Sequence, residues 1–299
     1  MRDLSVGAAA SDRLSVPPQI RLVATDLDGT LLHPDGTVTD RTRAALSAVE
    51  ARGVTVVFVT GRPVRWMDEL WQHVGDHGLA VCSNGGIVYD VARHVVREAR
   101  PLPVDTGRAV ARLLREGIPG TTVAVERTTG FAKEPEFMER YALPGDLVVA
   151  PADELFDETT VKLLARHQEM DPQRFWAEAD RLVGDLVTTT WSSVGALVEI
   201  SAAGVTKAST LALLCEELGI AADEVVAFGD MPNDLAMLEW AGTSYAMANA
   251  HPSVLELAGR TAPSNEDDGV AAVLEELFGL SPDGASPSET GDNAQDSAS

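Results

Sequence analysis

The sequence contains little cysteine and no long apolar run. Its two cysteines, Cys82 and Cys215, stand far apart, each within an apolar segment. This usage argues against a disulfide framework or a zinc site, and we expect both residues to be buried, reduced thiols. Charges, Gly or Pro interrupt every apolar run before it reaches the roughly 18 residues that a membrane span needs. A membrane protein is therefore not expected.

Positive charge is also scarce, since 23 Lys and Arg stand against 46 Asp and Glu, for a formal net charge of −23. Contacts to a phosphate backbone are mainly electrostatic, so this balance disfavours nucleic acid as a partner. A small anionic substrate is compatible with it if a metal ion or a few cations reverse the field locally. The N-terminal stretch MRDLSVGAAASDRLSVPPQ lacks the apolar core of a secretory signal, and we expect a cytoplasmic location.

The 299 residues suffice for about two domains, and the pattern of predicted strands and helices changes along the chain. Residues 1–18 and 281–299 cannot bury enough surface to fold, so we interpret them as tails. In residues 19–88 and 201–280, strand-like runs alternate with helical patterns, which predicts an α/β core with a Rossmann-like parallel sheet. Residues 89–200 mix helices with antiparallel-looking strands, which predicts an α+β cap domain inserted in a loop of the core.

Local signals place several elements within these regions. Pro63 suits the first turn of a helix over residues 64–75, and Asp171 with Pro172 suits the start of a helix in the insert. Residues 87–100 have the pattern of a β-hairpin, which we assign from residue 89 onward to the insert.

Four apolar runs end in small or acidic polar residues: VATDLDGT, VVFVTGR, AVCSNGG and VVAFGDMPND. In an open parallel sheet, ligands bind in the crevice beyond the carboxyl ends of the strands, so we expect these four clusters to converge on one pocket. Metal-assisted phosphoryl transfer needs a nucleophile, a metal, a general acid and donors for the phosphate oxygens. The four clusters contain residues of each kind.

The acids suit the first three requirements. Asp26 could attack phosphorus, and Asp28 could shuttle the proton. Asp230 with Asp234 could complete an oxygen-rich Mg²⁺ site. An anionic substrate also calls for a cation nearby, and Lys207, just before a helix, could supply it.

Three residues suit the fourth requirement, because Thr60, the Gly61 amide and Asn84 offer hydrogen bonds to a phosphate. Thr60 could also cap the following helix, and both roles can hold together, while Asn84 could be a turn residue. Lys207 taken alone would be a solvated lysine at a helix start. For Arg62, substrate contact and pairing with an acid are equally open.

The stretch Asp-Leu-Asp-Gly by itself could be a plain turn or part of a calcium loop. The calcium interpretation fails, because the sixth and twelfth positions from Asp26 hold Leu31 and Thr37 instead of Gly and Glu. The turn interpretation is weakened by the coincidence with three further polar clusters.

These motifs together resemble those of haloacid-dehalogenase-like phosphatases of the Cof type. The matching residues are Asp26-Leu27-Asp28-Gly29-Thr30 for the first motif, Thr60-Gly61-Arg62 for the second, Lys207 for the third, and Gly229-Asp230 with Asn233-Asp234 for the fourth. The SNGG element, and an insert between the second and third motifs, also resemble that subgroup. The resemblance spans about residues 19–280, and four motifs in order at strand ends are specific.

The resemblance implies that Asp26 becomes an aspartyl-phosphate, while Asp28 protonates the leaving alcohol and then activates water. Mg²⁺ would be held by the Asp26 carboxylate, the backbone carbonyl of Asp28, and Asp230. Asp234 would bind through water or support the other ligands, and Lys207 would neutralise Asp26 and the phosphate. We expect phosphate and substrate contacts from Gly61, Arg62, Asn84, Gly85 and Asn233.

We therefore expect a Mg²⁺-dependent phosphomonoester hydrolase of a small metabolite, with sugar phosphates, flavin mononucleotide and pyridoxal phosphate as the candidates that the family implies. A phosphomutase of a hexose phosphate is an alternative, and so is a sensor without turnover, although binding alone does not require both acids of the first motif.

In the insert, Arg166, His167 and Arg174 could contact the substrate and determine specificity, or they could form an ordinary surface. The protein could be a monomer or a homodimer.

Overall fold

The computed structural model describes residues 19–67, 78–138, 147–191 and 195–281, and the statements below refer to these ranges. The predicted tails lie outside them, apart from Ser281. Most of the helix predicted over residues 64–75 lies outside as well, and its described beginning, Val64–Trp66, is a single 3₁₀ turn.

Strands and helices alternate through much of the described chain. The strands are β1 (Leu22–Thr25), β2 (Thr55–Val59), β3 (Leu79–Cys82), β4 (Ile87–Asp90), β5 (Val95–Ala99), β6 (Thr122–Arg127), β7 (Gly130–Lys133), β8 (Val148–Val149), β9 (Thr160–Arg166), β10 (Val187–Thr190), β11 (Leu197–Ala202), β12 (Val225–Gly229), β13 (Thr243–Met247) and β14 (Thr261–Ala262). The α-helices are α1 (Asp40–Glu50), α2 (Val104–Gly117), α3 (Pro172–Val183), α4 (Lys207–Leu218), α5 (Leu235–Trp240), α6 (Pro252–Leu257) and α7 (Gly269–Phe278).

The first sheet has the order β14-β13-β12-β1-β2-β3-β4-β5. From β14 to β3 the strands pair in parallel. The central strands β1 and β12 are buried at every position, as expected for a parallel sheet with helices on both faces. The predicted α/β fold class is confirmed.

The hairpin predicted over residues 87–100 forms, but it belongs to the first sheet. Its first strand, β4, pairs antiparallel with β3, from Leu79 opposite Asp90 to Cys82 opposite Ile87. Assigning it from residue 89 onward to the insert was therefore wrong. The hydrophobic pattern identifies an antiparallel hairpin but does not say which sheet edge supplies the hydrogen-bonding partner.

The second sheet, formed by the insert, has the order β10-β11-β9-β6-β7-β8 and is antiparallel except between β7 and β8. Helices α2 and α3 cover one face around a separate apolar core. As predicted, Asp171 caps α3 by accepting a hydrogen bond from the Arg174 amide, and Pro172 follows it. The opposite face carries a smaller apolar cluster of Ala124, Phe131, Phe137 and Leu164.

Strands β12, β1, β2 and β3 lie side by side and point the same way, so their carboxyl ends form one edge. The chain leaves β1 for β2 on one side and returns through β12 on the other, which makes β1 the switch point where a crevice opens. The four polar clusters follow these strands and therefore meet there.

Cys82 and Cys215 are buried free thiols, as predicted. Burial raises the pKa of Cys82 to about 12 and that of Cys215 to about 11, so both stay protonated at neutral pH. None of the helices in the described ranges combines the length and the apolar character that crossing a bilayer requires.

The division into two domains, one for each apolar core, is a prediction that a core substitution can test. Phe175 is fully buried in the second core, and Phe175→Ala should lower the free energy of unfolding by about 3 to 5 kcal/mol. Amide hydrogen exchange should then quicken in β9 and α2 but not in β1 and β12. Phe228→Ala, in the first core, is the matched control and should reverse this distribution. Equal acceleration in both sheets of the Phe175 variant would contradict the two-domain interpretation.

Candidate active site

The crevice at the carboxyl ends of the central strands brings the predicted site residues together. They come from five places: Asp26 and Asp28 after β1, Thr60, Gly61 and Arg62 after β2, Asn84 and Gly85 after β3, Lys207 at the start of α4, and Asp230, Asn233 and Asp234 after β12.

Lys207 lies at the centre of this group. Its Nζ donates to Asp26 Oδ1 at 2.7 Å and to Asp234 Oδ1 at 2.6 Å, and its side chain is only 1% exposed. The local sequence places it there, because Thr206 caps α4 through a reciprocal pair of hydrogen bonds with Ser209. Lys207 is thereby the first residue of the helix. The solvated-lysine interpretation is excluded by this burial.

The carboxylates outweigh the single ammonium in this buried group. Burial alone would lower the pKa of Lys207, but the charges of Asp234 and Asp26 outweigh it and raise that pKa. The pKa of Asp26 is raised well above its usual value, mainly by burial, and the neighbouring carboxylates add to this against the effect of Lys207. The group therefore carries more negative charge than the described residues around it neutralise.

Asp234 is fully engaged with the protein. Its Oδ1 accepts from Lys207, and its Oδ2 accepts from the backbone amides of Asp230 and Met231 at 3.0 Å each. These bonds fold the loop after β12 back on itself. Of the two roles that the sequence left open for Asp234, this geometry favours support of the other ligands.

Asp230 is held by the loop after β1. Its Oδ1 accepts from the Thr30 hydroxyl at 2.7 Å, and burial together with the charge of Asp234 raises its pKa to about 7. Gly29 makes room for it, since a Cβ there would lie 2.3 Å from Asp230 Oδ2 and the backbone has a φ of +77°. Only glycine combines this conformation with so close an approach.

Oxygen atoms of Asp26, Asp230 and Asp234 lie within 4.8 Å of one another, and all three residues are buried. Three carboxylates and one ammonium leave two negative charges, which is costly in a buried site. A divalent cation would neutralise them, and carboxylate oxygens are the ligands that hard cations prefer. The same excess of negative charge contributes to the raised pKa values of Asp26 and Asp230, because protons are the alternative source of positive charge.

Asp28 is much more exposed than the other acids, with 59% of its side chain accessible. Arg62 holds it in a bidentate pair, with Nε 2.7 Å from Oδ2 and Nη2 2.6 Å from Oδ1. Pairing of Arg62 with an acid, one of the two roles left open, is therefore observed. Substrate contact by Arg62 stays a prediction.

The loops after β2 and β3 are tied together. Thr60 is buried, its carbonyl accepts from the Asn84 amide, and its Oγ1 accepts from the Arg62 amide at 3.0 Å. Because Oγ1 is already an acceptor, its proton is free to point elsewhere. No acceptor for this proton is found among the described residues, so the Thr60 hydroxyl is available to a ligand.

The SNGG segment adopts an uncommon backbone, with positive φ at Ser83, Asn84 and Gly85 in succession. Asn84 Oδ1 accepts from Asn233 Nδ2 at 3.1 Å, while Asn84 Nδ2 is buried with no partner in the described part of the chain. A buried, unpaired donor at this edge suits a phosphate oxygen. Gly85 lies so close to the start of α4 that a Cβ would be 2.2 Å from the carbonyl oxygen of Thr206. Its predicted phosphate contact stays a prediction.

The insert contributes charged residues that sequence reasoning missed. Lys162 donates to the Gly61 carbonyl at 2.7 Å and to Glu199 at 2.6 Å, and Arg65 pairs with Glu126 at 2.7 Å. The available signal was a charged residue within an otherwise apolar strand, as in TVKLLAR, VAVER and LVEISA. Each strand alternates, so these residues share the sheet face opposite α2 and α3.

Two of the three residues considered as substrate readers, His167 and Arg174, lie away from the crevice, whereas Arg166 lies on the same face of β9 as Lys162. Arg174 pairs with Glu178 on the exposed side of α3, and the His167 ring lies 5.8 Å from that of Phe175 in the helix-covered core. Arg166 stacks over the Phe137 ring at 5.3 Å. The ordinary-surface interpretation fits Arg174, and neither Arg174 nor His167 faces the crevice.

Residues 23–274 match the family model described as haloacid dehalogenase-like hydrolase. The chain belongs to this family. The match covers both sheets and contains every predicted site residue, and the resemblance to Cof-type members of the superfamily is confirmed.

Known proteins similar to this hydrolase cover most of its length. The 5-amino-6-(5-phospho-D-ribitylamino)uracil phosphatase YitU of Bacillus subtilis strain 168 is 27% identical over 87% of this chain and 98% of its own. The pyridoxal phosphate phosphatase YbhA of Escherichia coli strain K12 is 30% identical over 85% of this chain and 97% of its own. A haloacid dehalogenase-like hydrolase structure from B. subtilis superposes with a TM-score of 0.75 at 22% identity, covering 86% of this chain and all of that one, which shows the shared fold.

The raised pKa of Asp230 predicts a pH-dependent stability of this hydrolase without metal. Its folded-state value of about 7 exceeds the ordinary 3.8, so between these values the folded state binds more protons than the unfolded state. Stability therefore falls as the pH rises through this window. Asp230→Asn removes this titration, and in chelator its unfolding temperature should exceed that of the unmodified chain by more at pH 8 than at pH 5. Asp185→Asn, at an exposed position, is the control, and an equal gain at both pH values would contradict the assignment.

Proposed function

We propose that this protein is a Mg²⁺-dependent phosphomonoester hydrolase that forms an aspartyl-phosphate on Asp26. That it is a phosphoric monoester hydrolase follows from its family and from its phosphatase relatives. The Mg²⁺ dependence and the aspartyl-phosphate are supported by one observation, the buried group of Asp26, Asp230 and Asp234, in which Lys207 is the single cation among the described residues. Asp28 stands two residues after Asp26, where it can reach the same ligand.

The acid group fits Mg²⁺ by charge and by donor type. The carboxylates of Asp26 and Asp230 and the backbone carbonyl of Asp28 would hold the ion. Asp234, whose two oxygens already accept hydrogen bonds from the protein, would support them. When bound, Mg²⁺ would supply neutralisation of the phosphate oxygens and of the acids themselves.

In the first half of the proposed reaction, a carboxylate oxygen of Asp26 attacks phosphorus, and the bond from phosphorus to the leaving oxygen breaks. Lys207 orients Asp26 by holding Oδ1, and Oδ2 has no hydrogen bond to any described residue. Asp28, protonated and turned away from Arg62, gives its proton to the leaving alcohol. The exposure of Asp28 leaves room for that rotation.

In the second half, Asp28 takes a proton from water, whose oxygen attacks the aspartyl-phosphate. Inorganic phosphate leaves, Asp26 is regenerated as a carboxylate, and Asp28 again holds its proton. Throughout, the Thr60 hydroxyl and the Asn84 amide would donate to phosphate oxygens, since each has a proton without an acceptor among the described residues. Arg62, which pairs with Asp28 in the structure, would then contact an anionic oxygen of the substrate.

The proposed substrate is a small phosphorylated metabolite of the sugar phosphate, flavin mononucleotide or pyridoxal phosphate type. The substrates named for the two curated relatives, pyridoxal phosphate and 5-amino-6-(5-phospho-D-ribitylamino)uracil, are small phosphate monoesters, which supports this class. The net charge of −23 disfavours nucleic acid. We expect the protein to act in the cytoplasm as a monomer or homodimer.

Replacing the nucleophile tests the mechanism. Asp26→Asn should lower kcat by on the order of 10³-fold or more, because an amide is a poor nucleophile and the covalent step is lost. Phosphate release from a panel of phosphorylated metabolites, measured with Mg²⁺, is the readout. Asp185→Asn should leave it unchanged. Undiminished Mg²⁺-dependent release by the Asp26 variant would refute the proposal.

Metal dependence is tested separately. Chelation should abolish phosphate release, and added Mg²⁺ should restore it. Asp230→Asn should raise the Mg²⁺ concentration needed for half-maximal release by about tenfold or more, since it removes a charged ligand. Glu266→Gln, at an exposed acid, should not. Full turnover in chelator, or an Asp230 variant with an unaltered Mg²⁺ requirement, would rule out this metal site.

A further inference from the structure

Lys162 is a residue of the insert that contacts the loop after β2. It lies in β9 among apolar neighbours, and its side chain is 3% exposed. Its Nζ donates to Glu199 Oε1 on β11 at 2.6 Å and, across the gap between the two sheets, to the carbonyl oxygen of Gly61 at 2.7 Å. One buried ammonium thus joins the second sheet to a motif of the crevice.

The neighbouring charges leave Lys162 available for this contact. Glu126 stands directly opposite Lys162 on β6, but a bidentate pair with Arg65 neutralises it. Glu199 balances the ammonium itself. The result is two ion pairs side by side on the face of the second sheet that looks toward the crevice.

The contact leads to Thr60 through a single peptide group. The Gly61 carbonyl that accepts from Lys162 belongs to the same peptide as the Arg62 amide, and that amide donates to Thr60 Oγ1 at 3.0 Å. An ammonium on the carbonyl polarises the peptide and strengthens its N–H as a donor. The same contact fixes the peptide plane, and therefore the direction in which the Thr60 hydroxyl can donate.

We infer that Lys162 is a positioning residue for phosphate binding, acting through the Gly61–Arg62 peptide on the Thr60 hydroxyl. This inference rests on the proposed function only in that Thr60 binds the phosphate group. Since that group is common to every phosphate ester, loss of Lys162 should weaken the binding of all substrates by a similar factor. Loss of a residue that contacts the leaving group would instead weaken the binding of some substrates and leave that of others unchanged.

Stability alone gives no reason for this arrangement. Taking an ammonium and a carboxylate out of water is costly, and an apolar pair of similar volume is often as stable. Lys162→Met combined with Glu199→Leu should therefore fold, with an unfolding temperature near that of the unmodified chain. This double variant lacks the proposed positioning contact, so it separates a positioning role of Lys162 from a role in stability.

The test compares Lys162→Met and this double variant with Lys133→Met. Lys133 is a matched control, because it lies in the same sheet and donates to the Phe137 carbonyl inside the insert. The dissociation constant of inorganic phosphate is measured, with Mg²⁺ present, from its stabilisation of the protein against thermal unfolding. kcat/KM is measured for two phosphate esters with different leaving groups.

Phosphate affinity and both kcat/KM values should fall by about tenfold in the two Lys162 variants, which is the effect of one hydrogen bond of about 1.4 kcal/mol. They should stay unchanged in Lys133→Met. Unaltered phosphate affinity in the double variant, or a loss confined to one ester, would overturn the inference and make Lys162 a leaving-group contact or a structural residue.

A double-mutant cycle tests the route. If Lys162 acts through Thr60, Thr60→Val with Lys162→Met should bind phosphate no more weakly than Thr60→Val alone. Additive losses would overturn the route through Thr60. Phosphate binding does not depend on turnover, so a protein that binds phosphate as expected but releases none from esters refutes the hydrolase mechanism and leaves the positioning role standing. An unmodified protein that does not bind phosphate overturns both.

Discussion

The buried ion group of Lys207 with Asp26 and Asp234 is the constraint around which the crevice is built. An ammonium so fully withdrawn from water needs two carboxylates in contact, and each of these comes from a different strand end. The start of α4 must therefore meet the ends of β1 and β12. Once it does, Asp230 follows at the same edge, and the negative charge exceeds what one lysine can balance.

The backbone around this group is shaped to allow the approach. Gly29 leaves space for Asp230, and Gly85 leaves space for the start of α4 at Thr206. The left-handed run from Ser83 to Gly85 lets the loop after β3 fold back on Thr60. Such conformations persist only where the surrounding structure holds them, and here they coincide with a buried Asn84 amide that has no partner among the described residues. Strain and unpaired donors coincide with the site, as they do at many functional centres.

The insert meets the core through charge as well as through apolar contact. Lys162 and Glu126 extend from one face of the second sheet and contact Gly61 and Arg65, which follow β2 in the first sheet. The helices of the insert cover the opposite face of the second sheet, so its two faces make different kinds of contact. The helix-covered face stabilises the insert by packing, and the other face contacts Gly61 and Arg65 through paired charges.

Much of the site was accessible from the sequence, because parallel strands carry whatever follows them to one edge. Four apolar runs with polar ends were enough to place Asp26, Thr60, Asn84 and Asp230 together. The start of α3, capped by Asp171, could also be predicted, since capping depends on residues close together in the sequence. Tertiary structure decided the rest: the hairpin joined the edge of β3, Arg62 paired with Asp28, both oxygens of Asp234 were taken by the protein, and Lys162 reached Gly61. These outcomes depend on contacts between residues far apart in the chain, which local patterns do not encode.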